Sequence, residues 1–344
     1  MRRVTLDDVA NLAGVSPITV SRVLRKPNAV SQGLRMRVEA AVTELGYVTN
    51  VAASRLASSR SHAVGIIVPT LYNVIFAEYL AALHEVLVEH GFQLIVVNSR
   101  YSEIEEENAI KALLGQRVEA IIIAGVHHTT LSRQLLANAH VPVVETFELS
   151  PDPIHINIGM SQERAGHAAT RHLIDRGLRR VAFLTGNLDR RAQSRLDGYS
   201  TAMEEAALPR LKVIPQIPRH SSVALGSELF AEMLESGILP EAIFCTDDNL
   251  ALGAMQECRK HGIRMPDDIS IMGFHDLEFA ACASPSLSSV ATRRYETGKL
   301  AAEKILASLD ASTRSGIEKI DLGFSLVPRQ STSPTIIARQ PALP

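Results

Sequence analysis

The sequence predicts an α/β protein: an N-terminal three-helix head of helix-turn-helix type with a hinge helix, then two doubly wound parallel-sheet lobes. Three observations predict it. Two short helix patterns meet at a Gly-containing turn near the N-terminus, apolar strand runs alternate with amphipathic helices from Ala63 onward, and charge divides unevenly between the two parts. A chain of 344 residues also exceeds one typical domain. The expected division is residues 1–48 for the head, 49–61 for the hinge helix and linker, and 62–340 for the body. Within the body, one lobe combines 62–160 with 290–325 and the other 161–289 with 326–340. Through Arg60 the chain carries nine basic and four acidic residues; the remainder carries 26 basic and 33 acidic. A cationic head on an anionic body points to a polyanion as partner of the head alone. No apolar run approaches the roughly 18 residues of a membrane span, and Met1–Asp8 has no apolar core of a signal peptide, so a cytoplasmic protein is expected. Cys245, Cys258 and Cys282 form no disulfide framework and read as small buried apolar groups.

The head can be taken element by element. Thr5 and Asp8 have the spacing of a capping box, and Leu6, Val9, Ala10 and Ala13 then recur at helical spacing. Gly14 stops this helix. Ser16 caps a second one, with Pro17 at its first position, where a missing N–H costs nothing. Val20, Val23 and Leu24 form its apolar face, and Lys26-Pro27-Asn28 ends it. Ser31 caps a third helix that runs through Leu45 and stops at Gly46. Two helices joined by such a turn make a helix-turn-helix. Opposite Val20 and Val23, the residues Ser16, Thr19, Ser21 and Arg22 offer hydrogen bonds, and Pro17 and Ile18 offer apolar contact, for example to a thymine methyl. Arg22 suits a bidentate contact with guanine.

The runs Val4-Thr5-Leu6-Asp7-Asp8-Val9-Ala10, Ala13-Gly14-Val15-Ser16 and Thr19-Val20-Ser21-Arg22-Val23-Leu24, with Glu44-Leu45-Gly46-Tyr47, resemble the head of LacI-type repressors nearly residue for residue. The resemblance implies a second helix lying in the DNA major groove, with Pro17, Ile18 and Arg22 choosing bases. It implies a wider DNA-binding set of Thr5, Leu6, Ser16, Thr19, Ser21, Asn28, Ser31, Tyr47 and Asn50. The segment from Asn50 to Ser58 is helix-prone but too short to hold alone, and could fold when docked. In the family it pairs with its copy in the minor groove, which places Ala53 and Leu56 on DNA, with Leu56 wedging a base step. A plain linker has no need of one large apolar residue amid alanine and serine.

In the body, Val64–Pro69, Leu94–Val97, Ala120–Ala124, Pro142–Glu145 and His155–Ile158 read as strands, and Phe76–His90 as an intervening helix closed by Gly91. The cycle repeats with helix 162–175, strand Val181–Leu184, helix 195–206, a strand near 213–217, helix 224–235, strand Ala242–Cys245, helix 249–261 and strand Ile269–Met272. Alternation of this kind means parallel sheets covered on both faces. Enzyme signatures are missing: no G-x-G-x-x-G follows the first strand, and there is neither a P-loop nor a G-x-S-x-G elbow. Adjacent His127 and His128 lack a third ligand at suitable spacing and read as solvated loop histidines. No enzyme activity, cofactor or metal is expected.

Over nearly the whole chain the body resembles LacI-type sensor bodies and periplasmic sugar-binding proteins. Arg195-Leu196-Asp197-Gly198-Tyr199, Thr246-Asp247-Asp248-Asn249 and Pro266–Phe274 carry the match. Ligands bind outside the carboxyl ends of parallel strands. That rule and the family pattern select Tyr72, Ile75 and Phe76; Glu145 and Phe147; Met160 at the lobe junction; Arg190 and Arg195; Asp247; and His275 with Asp276. Taken singly, Phe76 reads as core and Asp248 as a helix cap. Many sugar-sensing relatives carry an acid where His275 stands, an asparagine at Asp247 and an aspartate at Met160. Gly273-Phe274-His275, Pro142–Glu145 and Asp321–Phe324 look most like the gluconate-utilisation repressors of the family. A neutral or cationic His275 favours an anionic sugar, so the expected effector is a sugar acid of the gluconate or ketogluconate class, with its carboxylate on Arg195 and its hydroxyls on Asp247, Glu145 and His275. A neutral sugar, a nucleoside, or catabolite control through a protein co-effector are the alternatives. A helix-turn-helix binds specifically in pairs. The expected partners are a pseudo-palindromic double-stranded operator and a second copy of the chain, joined through helices such as 76–90 and 249–261. No leucine heptad precedes Pro341–Pro344, so a tail-built tetramer is not expected.

Overall fold

Capping chemistry sets the head. The computed structural model describes Arg2 and residues 4–25, 27–48, 61–215, 217–310 and 316–333, and the chain divides into two units, Met1–Ser61 and His62–Pro344. The hinge-helix expectation, with Asn50, Ala53 and Leu56, lies outside the described residues. In the first unit, α1 (Leu6–Ala13) opens on the capping box: the Thr5 backbone N–H donates to Asp8 Oδ2 at 2.9 Å, and Asp8 N–H reaches back to Thr5 Oγ1. Gly14, at φ +64°, turns the chain in the left-handed conformation that suits glycine. The Ser16 hydroxyl accepts from Thr19 N at 3.3 Å and starts α2 (Pro17–Arg25). Ser31 precedes α3 (Gln32–Leu45), but its hydroxyl makes no capping hydrogen bond, contrary to expectation. Val9, Ala10, Ala13, Val20, Val23, Val38 and Ala41 meet as one buried core.

The second unit holds two parallel sheets. In chain order the first lobe supplies β1 (Ala63–Val68), α4 (Ile75–Glu89), β2 (Gln93–Asn98), α5 (Glu103–Gly115), β3 (Ala120–Ala124), α6 (Thr130–Ala137), β4 (Val143–Glu148) and β5 (Ile156–Met160). The second lobe supplies α7 (Gln162–Ile174), β6 (Val181–Leu184), α8 (Arg190–Glu205), β7 (Leu211–Val213), α9 (Val223–Glu235), β8 (Ala242–Cys245), α10 (Asp248–Lys260), β9 (Ser270–Met272) and the short α11 (Glu278–Cys282). Then come β10 (Ser289–Thr292), α12 (Arg294–Asp310), β11 (Glu318–Asp321) and β12 (Phe324–Val327). The sheets run β11-β5-β4-β3-β1-β2 and β7-β6-β8-β9, while β10 and β12 pair antiparallel. Every residue of β1, β3 and β5 is buried, as expected of unbroken apolar runs clad by helices on both faces. The stretch after Met272, for which the sequence suggests lobes but no elements, crosses between them: α12 leaves the second lobe to pack on α4, and β11 rejoins the first sheet beside β5. Strand order reverses beside β1 in one sheet and β6 in the other, which opens a crevice at their carboxyl ends.

One helix boundary and one burial expectation differ. The helix expected at 195–206 begins at Arg190, because the Asp189 carboxylate accepts from Ala192 N at 2.9 Å and caps it five residues earlier. Cys245 and Cys258 are buried, but Cys282 is exposed on its short helix.

The second sheet is covered by helix pairs in backbone contact. A Cβ on Gly198 would stand 2.0 Å from the carbonyl oxygen of Glu163, and one on Gly166 2.3 Å from that of Arg195. No side-chain adjustment relieves a backbone clash. Gly198→Ala is therefore expected to lower the urea midpoint of the body, at a cost of about 1–3 kcal/mol or more; an unchanged midpoint would show that α7 and α8 separate freely.

Candidate functional site

On the head, α2 turns Val20 and Val23 inward and leaves Pro17, Ile18 and Arg22 exposed, with Ile18 73% accessible. Ile18 and Arg22 stand one turn apart on the same face. Arg22 makes no hydrogen bond or ion pair with a described residue, whereas Arg35 is held by Glu39 at 2.6 Å. Ser16 and Thr19 point their hydroxyls at each other, 2.8 Å apart. Thr5, Asn28 and Ser31 are exposed, and Ser21 is half-buried. Leu6 and Tyr47, expected on DNA, pack part of their surface against the head core.

In the body, the crevice lies where the loops after β1, β3, β6, β8 and β9 converge. Its polar end is a cavity of 60 Å³ bordered by Thr70, Tyr72, Asn73, Tyr101, Asp189, Arg191, Arg195, Asp247 and His275. Beside it a wider cavity of 320 Å³ is bordered by Tyr101, Glu103, Glu106, His127, Glu148, Arg190 and Arg191. A third, mostly apolar recess is bordered by Ile75, Phe147, Met160, Arg191 and Arg195. Of the residues expected to meet a ligand, Tyr72, Ile75, Phe147, Met160, Arg190, Arg195, Asp247 and His275 border these cavities.

Arg195 is already heavily engaged. Its Nε donates to Gln162 Oε1 at 2.8 Å, one terminal nitrogen donates to the Thr246 carbonyl at 2.7 Å, and the guanidinium lies 3.9 Å over the Phe274 ring. Desolvation pulls its pKa to about 10, so it stays cationic at neutral pH. His275 is buried in a left-handed backbone conformation at φ +104°, its carbonyl held by Arg294. Burial first, then Arg195 and Arg294, push its pKa well below 6.5. Of the two charge states expected, the neutral imidazole is the one present. Asp247 caps α10: Oδ1 accepts from Asn249 N at 2.8 Å, and Oδ2 accepts from Asn73 of the opposite lobe at 3.1 Å. The cap is thus Asp247 and not Asp248, which is wholly buried and accepts from Leu277 N and from the Ser289 hydroxyl, both at 2.7 Å. Desolvation raises Asp248 to about 8.

Four expectations need correction. Glu145 does not face the crevice; it is fully buried, accepts from Ile154 N at 2.7 Å, and lies 3.4 Å from His128 Nε2. His128 is no solvated loop residue, since its ring is inaccessible and its Nδ1 meets Glu106 at 2.6 Å. Burial pulls the His128 pKa down, but Glu106 and Glu145 outweigh it and raise it to about 9. Asp276 is taken up by Arg329, which reaches one of its carboxylate oxygens at 2.5 Å and the other at 3.3 Å. Phe76 is core, 1% exposed, against Phe147 and Tyr79. Arg190 reaches across the crevice to Glu103 at 3.3 Å and remains largely exposed.

Arg191, which the sequence does not single out, borders all three cavities. Its guanidinium is nine-tenths buried, 5.6 Å from the centroids of both Phe76 and Phe147. A signal existed: once Asp189 is read as the cap, Arg191 and Arg195 stand four apart on one helix face, and Arg190 turns away. Tyr101 and His220 also went unnoticed; His220 stacks on Tyr72 across the crevice at 5.6 Å.

Residues 5–50 match the model of the bacterial regulatory proteins of the lacI family, and residues 170–332 match that of the periplasmic binding protein-like domain. The HTH-type transcriptional regulator GntR of Pseudomonas aeruginosa is 40% identical over 332 residues, covering 96% of either chain. This chain belongs to the LacI family. It is a DNA-binding transcriptional regulator, not an enzyme. A LacI-family transcriptional regulator from Silicibacter pomeroyi superposes on this LacI-family chain with a TM-score of 0.89 at 32% identity, covering 96% of this chain and 99% of that one. The lac repressor dimer bound to operator and the anti-inducer ONPF does so with a TM-score of 0.78 at 29% identity, covering 96% and 99%. No helix among the described residues of the regulator is long and apolar enough to cross a membrane.

Proposed function

We propose that the regulator is a homodimeric repressor acting in the cytoplasm, and that a sugar acid held between its two lobes sets its affinity for a pseudo-palindromic operator. The observation that carries the effector is the chemistry of the crevice. Two buried guanidiniums, Arg191 and Arg195, stand at one wall with a neutral His275 and the polar groups of Asn73, Thr185, Asp189 and Asp247. Fixed positive charge beside many hydrogen-bonding groups suits a polyhydroxylated carboxylate. Similarity to the GntR regulator of P. aeruginosa and the likeness to gluconate-utilisation repressors seen in sequence support the same class.

On DNA, Pro17, Ile18 and Arg22 of each copy read one half-site, and the halves lie about one helical turn apart. The likeness to an operator-bound repressor dimer supports this pairing. Asn73 with Asp247 and Arg190 with Glu103 join the lobes across the crevice. A ligand seated among these groups favours one lobe arrangement, and it changes DNA affinity only as far as its own affinity differs between arrangements. Such a crevice favours induction. Footprinting on the DNA upstream of the regulator's own coding region, with calorimetric titration of gluconate, 2-ketogluconate, ribose and hypoxanthine, tests the proposal. A protected palindrome released by a sugar acid is expected; binding of ribose or hypoxanthine alone removes the sugar-acid effector.

A further inference from the structure

Arg191 is a buried cation with its hydrogen-bonding capacity unspent. The guanidinium carries five N–H donors, and it borders all three cavities, where water or a ligand can meet them. It makes no hydrogen bond to any described residue, and its ion pair with Glu148 is a long one, at 3.9 Å. Arg195, by contrast, spends its donors on Gln162 and Thr246. Burial first, and Arg191 beside it, lower the pKa of Arg195, whereas against the same burial Asp189 and Glu148 hold Arg191 in its charged form. Acids crowd the rim, with Glu103, Glu106, Glu148 and Asp189 at the wide cavity and Asp247 at the polar one, while the other rim arginines, Arg190 and Arg219, are exposed and already paired with Glu103 and Glu228.

From this we infer that Arg191, not Arg195, is the anion seat of the crevice, and that the crevice selects a ligand with a single negative charge. The inference rests on the sugar-acid reading above and makes it narrower. One carboxylate satisfies the forked donors of Arg191, relieves its repulsion with Arg195, and takes over from the distant Glu148. A second charge on the same ligand meets Glu148, Asp189 or Glu103, with no free buried cation to offset it. Sugar phosphates are therefore rejected although they too are anionic. A neutral amide analogue offers Arg191 one carbonyl oxygen in place of a charged, two-oxygen carboxylate, and so meets only part of the fork.

The test is calorimetric titration of the full-length chain with gluconate, 2-ketogluconate, the neutral isostere gluconamide, and 6-phosphogluconate. The wild type is expected to prefer gluconate to gluconamide by about tenfold or more, as a charge-assisted pair allows, and to bind 6-phosphogluconate more weakly than gluconate. Arg191→Gln should bring gluconate down to the level of gluconamide. Arg191→Lys, which keeps a point charge without the planar fork, should retain part of the preference. Arg195→Gln should weaken both ligands alike, because it loosens Gln162 and the loop at Thr246. Circular dichroism and operator binding report the fold of each variant, and the lysine variant carries the test if the glutamine one unfolds. Preference lost in Arg195→Gln but kept in Arg191→Gln overturns the assignment, as does equal wild-type affinity for gluconate and gluconamide. Tighter binding of 6-phosphogluconate overturns the single-charge rule. A wild type that binds neither sugar acid overturns the effector reading itself, and the assignment falls with it.

Discussion

Arg22→Ala is expected to weaken operator binding by roughly a hundredfold or more, since each good bidentate base contact is worth about 1–3 kcal/mol and a dimer loses two. The residue is exposed on α2, free of partners among the described residues, and one turn beyond Ile18. Its removal touches none of the head core, which rests on Val9, Val20, Val23 and Val38. Thermal stability should therefore hold while sequence discrimination falls. Fluorescence anisotropy at fixed salt, on operator and on scrambled duplex, separates the outcomes. A loss confined to the operator marks a base contact. An equal loss on both duplexes would make Arg22 a phosphate contact and move base reading elsewhere on the helix.

The second large effect concerns stability and is expected at His128. His128→Ala leaves Glu145 fully buried and Glu106 largely so, without the cation between them. Breaking a buried pair by removing one partner costs about 3–5 kcal/mol. For a unit of this size that is a fall of several degrees, at least, in the body's melting temperature. The effect depends on pH with a definite sign. The folded-state pKa of about 9 lies above the ordinary 6.5, so the proton's contribution is complete below 6.5 and disappears as pH rises through about 9. The gap in melting temperature between wild type and His128→Ala should be wide at pH 6 and narrower at pH 10. A gap that widens with pH would mean that the imidazole is buried neutral. His128→Gln, which can still donate to Glu106, should lie between the two.

Elements whose cause is local were legible in the chain. The Thr5–Asp8 capping box, the stops at Gly14 and Gly46, and the strands Ala120–Ala124, Val181–Leu184 and Ala242–Cys245 fall where composition and period put them. So does the exposed face of α2. The expected helix 195–206 is too short because its start depends on one carboxylate, Asp189, seven residues upstream of the first large apolar residue, Leu196. The late segment from α11 to β12 escaped because its pieces are short and belong to different layers. β11 is a strand only because β5 lies beside it, and β12 only because β10 does.

The ligand crevice was legible as a place, not as a roster. Parallel strands put it at their carboxyl ends, and most residues chosen there border it. Which polar side chains face the opening is another matter. Glu145 and Glu148 sit three apart on one strand, so alternation sends them to opposite faces, but only the fold shows that the first meets His128 in the interior and the second lies beside Arg191. Glu106 and Glu145 hold His128 from 22 and 17 positions away, and Arg329 claims Asp276 from 53 away. Helix and strand periods, caps and charge balance act over a few neighbours, and they already specify a cationic helix-turn-helix head on a two-lobed parallel-sheet body. The direction and charge state of a buried polar group depend on whichever partner removes it from water. That partner is brought by folding from anywhere along the chain, so Arg191 as a loosely paired cation and His128 as a captive one are visible only in three dimensions.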